Sequence, residues 1–225
     1  LASAPLCRCT LIRVAPLRQV LVLTMHHIAS DGWSVSVYLR DLAQAYRRIL
    51  EGEIAFAGPV PASYSSYAAA QRLAVADGRL EEAMVFWRDR LADLPPNGSL
   101  PFASEERPGR FDFKGKSYEL DLGEDLSRDV LAFCERHRIS LYTYFMCCLM
   151  LLLRSGSECD SIHVRSPTAN RATPELEQVV GYFVQPIVVR VGVSLGMSLA
   201  ALVRIVQEET LLAHEHNVLP PQLFG

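Results

Sequence analysis

Residues 18 to 34 read RQVLVLTMHHIASDGWS, a stretch in which an apolar run is followed directly by a polar segment. Its first eight residues, Arg18 to Met25, are apolar and β-branched without clean alternation, which predicts a central strand covered on both faces. From Val35 to Ile49 apolar residues recur at helical spacing, and Gly52 marks the end of that helix. The polar residues from His26 to Trp33 therefore lie in a turn between a strand and a helix.

Helical and strand patterns continue to alternate along the rest of the chain. Helices are predicted at Ser63–Val75, Leu80–Leu91, Glu124–His137, Leu141–Leu153 (capped by Ser140) and Ser198–His214, and strands at Lys116–Leu122, Ser161–Arg165 and Phe183–Val191. Residues 95 to 112 contain Pro95-Pro96-Asn97-Gly98 and are predicted to be a linker. The pattern predicts an α/β protein with two lobes, residues 1–94 and 113–225, in which helices pack on sheets.

Composition excludes several classes of partner. The chain has 22 Lys and Arg against 25 Asp and Glu, a formal net charge of −3, and no run of basic residues. Nucleic acids and anionic membrane surfaces both require a concentrated positive field, so neither is expected as a partner. The longest apolar run, Leu141 to Leu153, is shorter than the roughly 20 residues of a membrane span. Six irregularly spaced cysteines favour a reduced, cytoplasmic setting over a disulfide framework.

The strand-to-helix turn contains the residues best suited to acid-base chemistry. His27 and Asp31 are four residues apart, so the turn can bring an imidazole and a carboxylate together. Near neutral pH a histidine accepts a proton from an attacking amine, hydroxyl or thiol, and a neighbouring carboxylate orients the ring or holds the loop. Gly32 allows close approach of the backbone to a ligand, and its N–H, or that of Trp33, can face a developing oxyanion.

Other interpretations of this turn remain open at this point. A His and an Asp also occur together by chance, and a histidine is often only hydrogen-bonded within a core. No metal is expected, since there is no HExxH pattern and no third ligand at suitable spacing. A nucleophilic triad of Ser30, His27 and Asp31 lacks the GxSxG elbow, so covalent catalysis is not expected.

The string TMHHIASDGWS resembles the HHxxxDG signature of nonribosomal peptide synthetase condensation domains. Further resemblances follow in the order that the family has them: Tyr64-Ser65-Ser66-Tyr67-Ala68, Phe86-Trp87 with Leu91, Ser166-Pro167-Thr168-Ala169-Asn170-Arg171, Pro174-Glu175-Leu176-Glu177, Val180-Gly181-Tyr182-Phe183-Val184 and His216-Asn217-Val218-Leu219-Pro220. The resemblance covers nearly the whole chain.

The resemblance implies a two-lobed fold like that of chloramphenicol acetyltransferase, with mixed sheets, packed helices and a tunnel between the lobes. On this basis residues 1–94 are the C-terminal part of the N-lobe, and residues 113–225 are the N-terminal part of the C-lobe. The chain is therefore expected to be truncated at both ends, and inactive when isolated.

The implied function is amide bond formation in the biosynthesis of a secondary metabolite. A donor acyl or peptidyl thioester and an acceptor aminoacyl thioester arrive on the phosphopantetheine arms of carrier proteins, and the acceptor amine attacks the donor. The implied partners are these carrier domains and an adjacent adenylation domain. The domain itself is expected to bind no cofactor.

The resemblance also implies roles for individual residues. His27 is the second histidine of the signature, which positions or deprotonates the amine. Asp31 is structural, with Arg171 as its counter-ion, because a buried carboxylate is costly unless paired and arginine pairs with it bidentately. His26 is expected to pack and to form hydrogen bonds rather than to act as a base.

Three further residues are candidates for the wall of the substrate tunnel: Trp33, Gln185 and Asn217. An aromatic residue after a strand is usually buried, so Trp33 is expected in the core more than at a substrate. Gln185-Pro186 departs from the Asn-Thr that the family usually has, and Pro186 has no backbone N–H.

Two other functions are kept as alternatives. An acyl-CoA-dependent acyltransferase shares the HxxxD pattern, but the chain lacks the DFGWG segment of that group. A noncatalytic condensation-like module that only docks other proteins is the second alternative, although such modules usually lose the second histidine. The intact signature also argues against heterocyclization, and the aromatic residue and serine after Gly32 argue against epimerization.

Overall fold

The computed structural model describes residues 5–56, 62–94, 115–157, 159–194 and 196–217, and the predicted linker at 95–112 lies outside the described residues. The described residues form two compact units. The first contains those within Leu1–Val85 and Pro167–Gln185, and the second those within Phe86–Ser166 and Pro186–Asn217. These bounds differ from a single division at 95–112, because Pro167–Gln185 packs with the N-terminal residues. The assignment of residues 1–94 and 113–225 to family lobes stays a prediction.

The first unit begins with an antiparallel hairpin of β1 (Cys7–Ala15) and β2 (Arg18–Met25). The predicted bounds of β2 are confirmed. The prediction that β2 is central and covered on both faces is wrong for the described residues, because its sheet has β1 as the one other strand. Leu11 and Leu21 are paired across this ladder and remain 64% and 43% exposed.

Helix α1 (Gly32–Leu50) follows the signature turn, as predicted. Asp31 is its N-cap, with the carboxylate accepting a hydrogen bond from the N–H of Ser34, so the signature aspartate also starts the helix. The helix ends before Gly52, whose φ of 78° is in the left-handed region that glycine adopts without strain.

Two shorter helices follow, α2 (Tyr64–Ala76) and α3 (Glu81–Leu91), close to their predicted bounds. Ser63 caps α2 by accepting from the N–H of Ser66. In α3 the side chain of Trp87 is fully buried, so the C-terminal part of this helix is held in the core of the second unit.

The second unit contains most of the remaining elements, and their bounds match the sequence-based predictions within a few residues. They are α4 (Gly123–His137), α5 (Leu141–Ser155), β3 (Ser161–Thr168), β4 (Gln185–Gly192) and α6 (Leu199–Glu215). Strands β3 and β4 are hydrogen-bonded neighbours. Ser140 caps α5 as predicted, and Ser198 caps α6.

The predicted strand at Lys116–Leu122 is absent. Residues 115–122 form neither strand nor helix, and Tyr118 and Leu120 are 89% and 82% exposed. An alternating pattern becomes a strand only where a neighbouring strand accepts its hydrogen bonds, and no described strand does so here. Within the described ranges, no helix is both long and apolar enough to cross a bilayer.

Gly181 leaves no space for a side chain. A Cβ at this position would lie 2.2 Å from Cδ2 of Tyr64 and 3.0 Å from Cε2 of Phe183. We expect Gly181→Ala to lower the free energy of unfolding by about 1–3 kcal/mol, the usual cost of overpacking. The measurement is urea denaturation. Gly192→Ala is the matched control, because a Cβ there meets nothing within 4 Å; equal stability of the two variants would contradict the packing argument.

Candidate functional site

The imidazole of His27 lies at the surface, in a short 3-10 turn (His27–Ala29) that directly follows β2. Its Nδ1 is 2.7 Å from the carbonyl oxygen of Ser30. Because a carbonyl oxygen only accepts hydrogen bonds, Nδ1 carries the proton and donates a hydrogen bond to Ser30. The lone pair of the neutral ring is therefore on Nε2, and this nitrogen can accept a proton as a general base.

The ring of Tyr182 packs edge-on against His27, with 5.3 Å between ring centroids and 81° between ring planes. The hydroxyl of Tyr64 donates to the backbone carbonyl of Tyr182 at 2.8 Å. Sequence reasoning assigned no role to Tyr182, since an aromatic residue 155 positions away in a loop gives no periodic signal. Its place within the VGYFV segment was the one available indication.

His26 is exposed, and hydrogen bonds of its ring and its backbone hold it in the turn. The ring Nδ1 of His26 accepts a hydrogen bond from the backbone N–H of Ile28 at 3.0 Å, and the backbone N–H of His26 donates to the carbonyl of Leu6 at 2.8 Å. Because Nδ1 accepts, the two neighbouring histidines have opposite tautomers. The contacts of His26 are those of a turn-stabilising residue, although its exposure leaves little packing.

The carboxylate of Asp31 is completely buried beneath the turn. It accepts hydrogen bonds from the N–H of Ser34 at 2.8 Å and from the N–H of Phe183 at 3.0 Å. Nη2 of Arg171 lies 3.0 Å from Oδ1 and 3.3 Å from Oδ2, so the ion pair implied by the resemblance is present. These donors compensate for the loss of water around the charge.

The guanidinium of Arg171 has an equally buried position, with a 1% exposed side chain. Nη1 donates to the backbone carbonyls of Leu176 and Val179 at 2.5 and 2.6 Å. The guanidinium carbon lies 4.1 Å from the ring centroid of Phe183, within cation-π range. One side chain therefore connects the signature aspartate to the loop after Arg171.

Ser34 contacts both members of the ion pair, a role that was not predicted from the sequence. Its hydroxyl lies 2.7 Å from Oδ1 of Asp31, 3.1 Å from Nη2 of Arg171 and 3.0 Å from the N–H of Gly181. The available signal was the spacing of Asp31 and Ser34, since an N-cap residue bonds to the residue three positions later.

The environment shifts the pKa values of two groups near the turn. Burial acts to raise the pKa of Asp31, but the hydrogen bonds from Ser34 and Phe183 and the charge of Arg171 outweigh it, so this pKa lies below its ordinary value. Burial raises the pKa of the Tyr64 hydroxyl, and the charge of Asp31 adds to the effect. At neutral pH Asp31 is ionised and Tyr64 is a neutral hydrogen-bond donor.

The other two residues of the signature turn lie at the helix N-terminus. Gly32 is exposed and its Cβ position is open, and the N–H groups of Gly32 and Trp33 belong to the first turn, whose donors have no partner within the helix. The expectation that Trp33 is in the core is wrong. It is 44% exposed, because its indole N–H donates to the carbonyl of Glu177 at 3.0 Å and keeps the ring along the surface.

The two other candidates for a tunnel wall belong to different units. Gln185 begins β4 in the first unit and is 8% exposed. Asn217 follows α6 in the second unit, where its N–H donates to the carbonyl of His214 at 3.2 Å. Their role toward a substrate stays a prediction. In the part of the chain that the structure describes, no three His, Cys, Asp or Glu side chains are grouped as metal ligands.

The buried pair makes stability depend on pH. In Asp31→Asn the guanidinium of Arg171 loses its counter-ion, and we expect a loss of about 3–5 kcal/mol in the free energy of unfolding at neutral pH. Because the folded pKa of Asp31 is lowered, the wild-type advantage is present above the unfolded pKa, about 3.9, and is lost as pH falls through the folded pKa. Urea denaturation of both proteins between about pH 3 and pH 7 measures this difference.

A double-mutant cycle tests the contact itself. Arg171→Ala and Asp31→Asn should together cost less than the sum of their separate effects. Asp41→Asn is the matched control, because Asp41 pairs with Arg40 on the surface of α1 with side chains 43% and 49% exposed, and we expect less than about 1 kcal/mol there. Additive costs for Asp31 and Arg171 would show that the pair contributes no coupling.

Comparisons with known proteins identify the family of this chain. A condensation domain family matches residues 1–223. Malpinin synthetase from Mortierella alpina is 33% identical over 220 residues, which are 98% of this chain and 3% of that protein.

Two solved structures share the fold. The X-domain from teicoplanin biosynthesis has a TM-score of 0.86 at 25% identity over 97% of this chain and 50% of its own. The first condensation domain of the CDA synthetase has a TM-score of 0.75 at 20% identity, over 96% of this chain and 48% of its own. The α/β fold class predicted from sequence is thereby confirmed. The chain belongs to the condensation domain family of nonribosomal peptide synthetases.

Proposed function

We propose that this chain supplies the catalytic turn of a domain that forms an amide bond between two carrier-bound substrates. The observation that carries the proposal is the state of His27: an exposed imidazole whose Nδ1–H is held by the carbonyl of Ser30. That contact leaves the lone pair of the neutral ring on Nε2. Membership of the condensation domain family supports the same conclusion.

The proposed reaction joins an acceptor amine to a donor thioester. The amine nitrogen attacks the thioester carbonyl, the new C–N bond forms, and the C–S bond breaks. The proton lost from the amine ends on the sulfur of the departing thiol. His27 Nε2 accepts a hydrogen bond or the proton from the attacking amine, which raises the fraction of reactive, correctly placed nucleophile.

The turn around His27 supports this chemistry in two ways. Asp31 caps α1 and pairs with Arg171, so the start of the helix, directly after the turn, is held by the buried ion pair. The N–H groups of Gly32 and Trp33 point from the first turn of a 19-residue helix, and such groups stabilise negative charge that develops on a carbonyl oxygen. The charged Asp31 acts through the loop and does not touch the reacting atoms in this proposal.

The proposed partners follow from the reaction. Both substrates are thioesters on the phosphopantetheine arms of carrier domains, and an adenylation domain in the same synthetase loads the acceptor. These arms belong to the carriers as substrates, and no further cofactor is needed for the step.

A docking module without condensation activity is the second candidate. The observation that favours it is the TM-score of 0.86 with the X-domain, against 0.75 with the condensation domain of the CDA synthetase. A solved structure contains that X-domain in complex with OxyB. Under this alternative the chain holds a partner protein, and His27 has no catalytic part.

Replacement of His27 separates the two candidates. In the protein that carries this chain at its natural length, we expect His27→Ala to lower product formation by about 10²-fold or more, the range of general-base loss. The measurement is single-turnover formation of the amide product from two loaded carrier proteins, followed by mass spectrometry.

His214→Ala is the matched control, because His214 is also exposed and lies on α6 in the other unit. We expect its activity to equal that of the wild type. A wild-type rate retained by His27→Ala would remove the base role. A folded wild-type protein with no condensation activity would favour the docking module.

A further inference from the structure

An open pocket of ≈ 510 Å³ lies in the second unit, which contains none of the HHxxxDG residues. Its lining comes from the C-terminal part of α3, from β3 and β4, and from α6. Polar and charged side chains dominate it, including Arg90, Ser161, Arg190 and Glu209. The function proposed above makes no use of this pocket.

Arg190 of β4 is held in place by two hydrogen bonds. Nε donates to the hydroxyl of Ser161 at 3.0 Å, and Nη1 donates to the backbone carbonyl of Arg90 at 3.2 Å. Neither partner is charged. No carboxylate of a described residue is within ion-pair distance of Arg190, and Nη2 donates no hydrogen bond to a described residue. The guanidinium is therefore held in place, its Nη2 has N–H groups left free by the described residues, and no described carboxylate pairs with its charge.

The other charged side chains of the pocket do not pair with the guanidinium of Arg190. Arg90 forms an ion pair with Glu209, and the two side chains are 17% and 26% exposed, so this pair is close to neutral. Asp89 lines the pocket but is exposed, and water and salt screen its charge. The two arginines and two carboxylates of the lining have no net charge, but Arg190 has no ion-pair partner among the described residues, so its charge remains available to an anion.

The charge of Arg190 acts on two neighbouring groups. The pKa of Arg90 lies below its ordinary value, first because of burial and then because of the charge of Arg190. The pKa of His163, on β3, is lowered by the same two causes in the same order. A bound anion would offset the charge of Arg190 and so raise the pKa values of Arg90 and His163.

We propose that this pocket binds an oxyanion, a phosphate or carboxylate group of a small molecule, on the guanidinium of Arg190. A guanidinium presents its donors in a planar fork that matches both groups, and its rigid hold by Ser161 reduces the entropy lost on binding. The pocket volume leaves room for the rest of the molecule that carries the anion.

The first test is direct titration. Inorganic phosphate and acetate are titrated separately into the protein at its natural length, at constant ionic strength set with chloride, with calorimetry as the measurement. We expect saturable binding of at least one of them with a Kd of about 1 mM or lower. Phosphate alone assigns a phosphate group, and acetate alone assigns a carboxylate. Heats no larger than those of chloride would overturn the proposal.

The second test uses Arg190→Gln, which removes the charge. We expect it to weaken anion binding at least about tenfold, because a charge-assisted hydrogen bond is lost. Arg128→Gln is the matched control: Arg128 lies on α4 of the same unit, and its side chain is 69% exposed. Unchanged binding in Arg190→Gln would exclude Arg190 as the site.

A third variant keeps the test valid if Arg190→Gln fails to fold. Gly192 lines the pocket and has open space at its Cβ position, so Gly192→Asp places a carboxylate near Arg190 as a built-in competitor. We expect Gly192→Asp to lose anion binding. Added anion should raise the melting temperature of the wild type and leave that of Gly192→Asp unchanged. Gly196→Asp makes the same charge change at another open position and should bind as the wild type does. Equal binding by both variants would contradict the proposal.

Discussion

The buried ion pair of Asp31 and Arg171 is the interaction on which the first unit depends. Both side chains are almost completely removed from water, so each charge requires the other and a set of hydrogen bonds. The bonds come from the start of α1 and from the loop that leads to Phe183. Segments about 140 residues apart in sequence are thereby held at one point. A small displacement of either segment would leave a charge without its partner.

This pair also explains why the turn can present a histidine in a defined state. Asp31 caps α1 and sets where the helix begins, and the chain before it must reach that cap from the end of β2. The residues between them form a single 3-10 turn, in which the carbonyl of Ser30 meets Nδ1 of His27. The tautomer of His27 follows from the backbone path, and the backbone path follows from the buried aspartate.

The second unit uses charge differently. Arg90 and Glu209 pair with each other, whereas Arg190 is held by neutral oxygens of Ser161 and a backbone carbonyl. A guanidinium with neutral partners keeps its attraction for anions, and one with a carboxylate partner loses most of it. The contrast between Arg171 and Arg190 shows that the same residue type serves as a structural cross-link in one unit and as an available charge in the other.

Sequence alone determined the local structure and the identity of the turn. Capping residues, helical spacing and glycine positions act within a few residues, so the bounds of α1, α5 and α6 followed from them, and the run of apolar, β-branched residues predicted β2. The resemblance to condensation domains pointed to His27, Asp31 and Arg171. Tertiary structure decided what depends on neighbours distant in sequence. Lys116–Leu122 had the pattern of a strand but lacks a described partner, and Trp33 stays exposed because its N–H reaches the carbonyl of Glu177. The contacts of Tyr182 with His27 and of Ser34 with Arg171 arise from long-range packing, which no local pattern encodes.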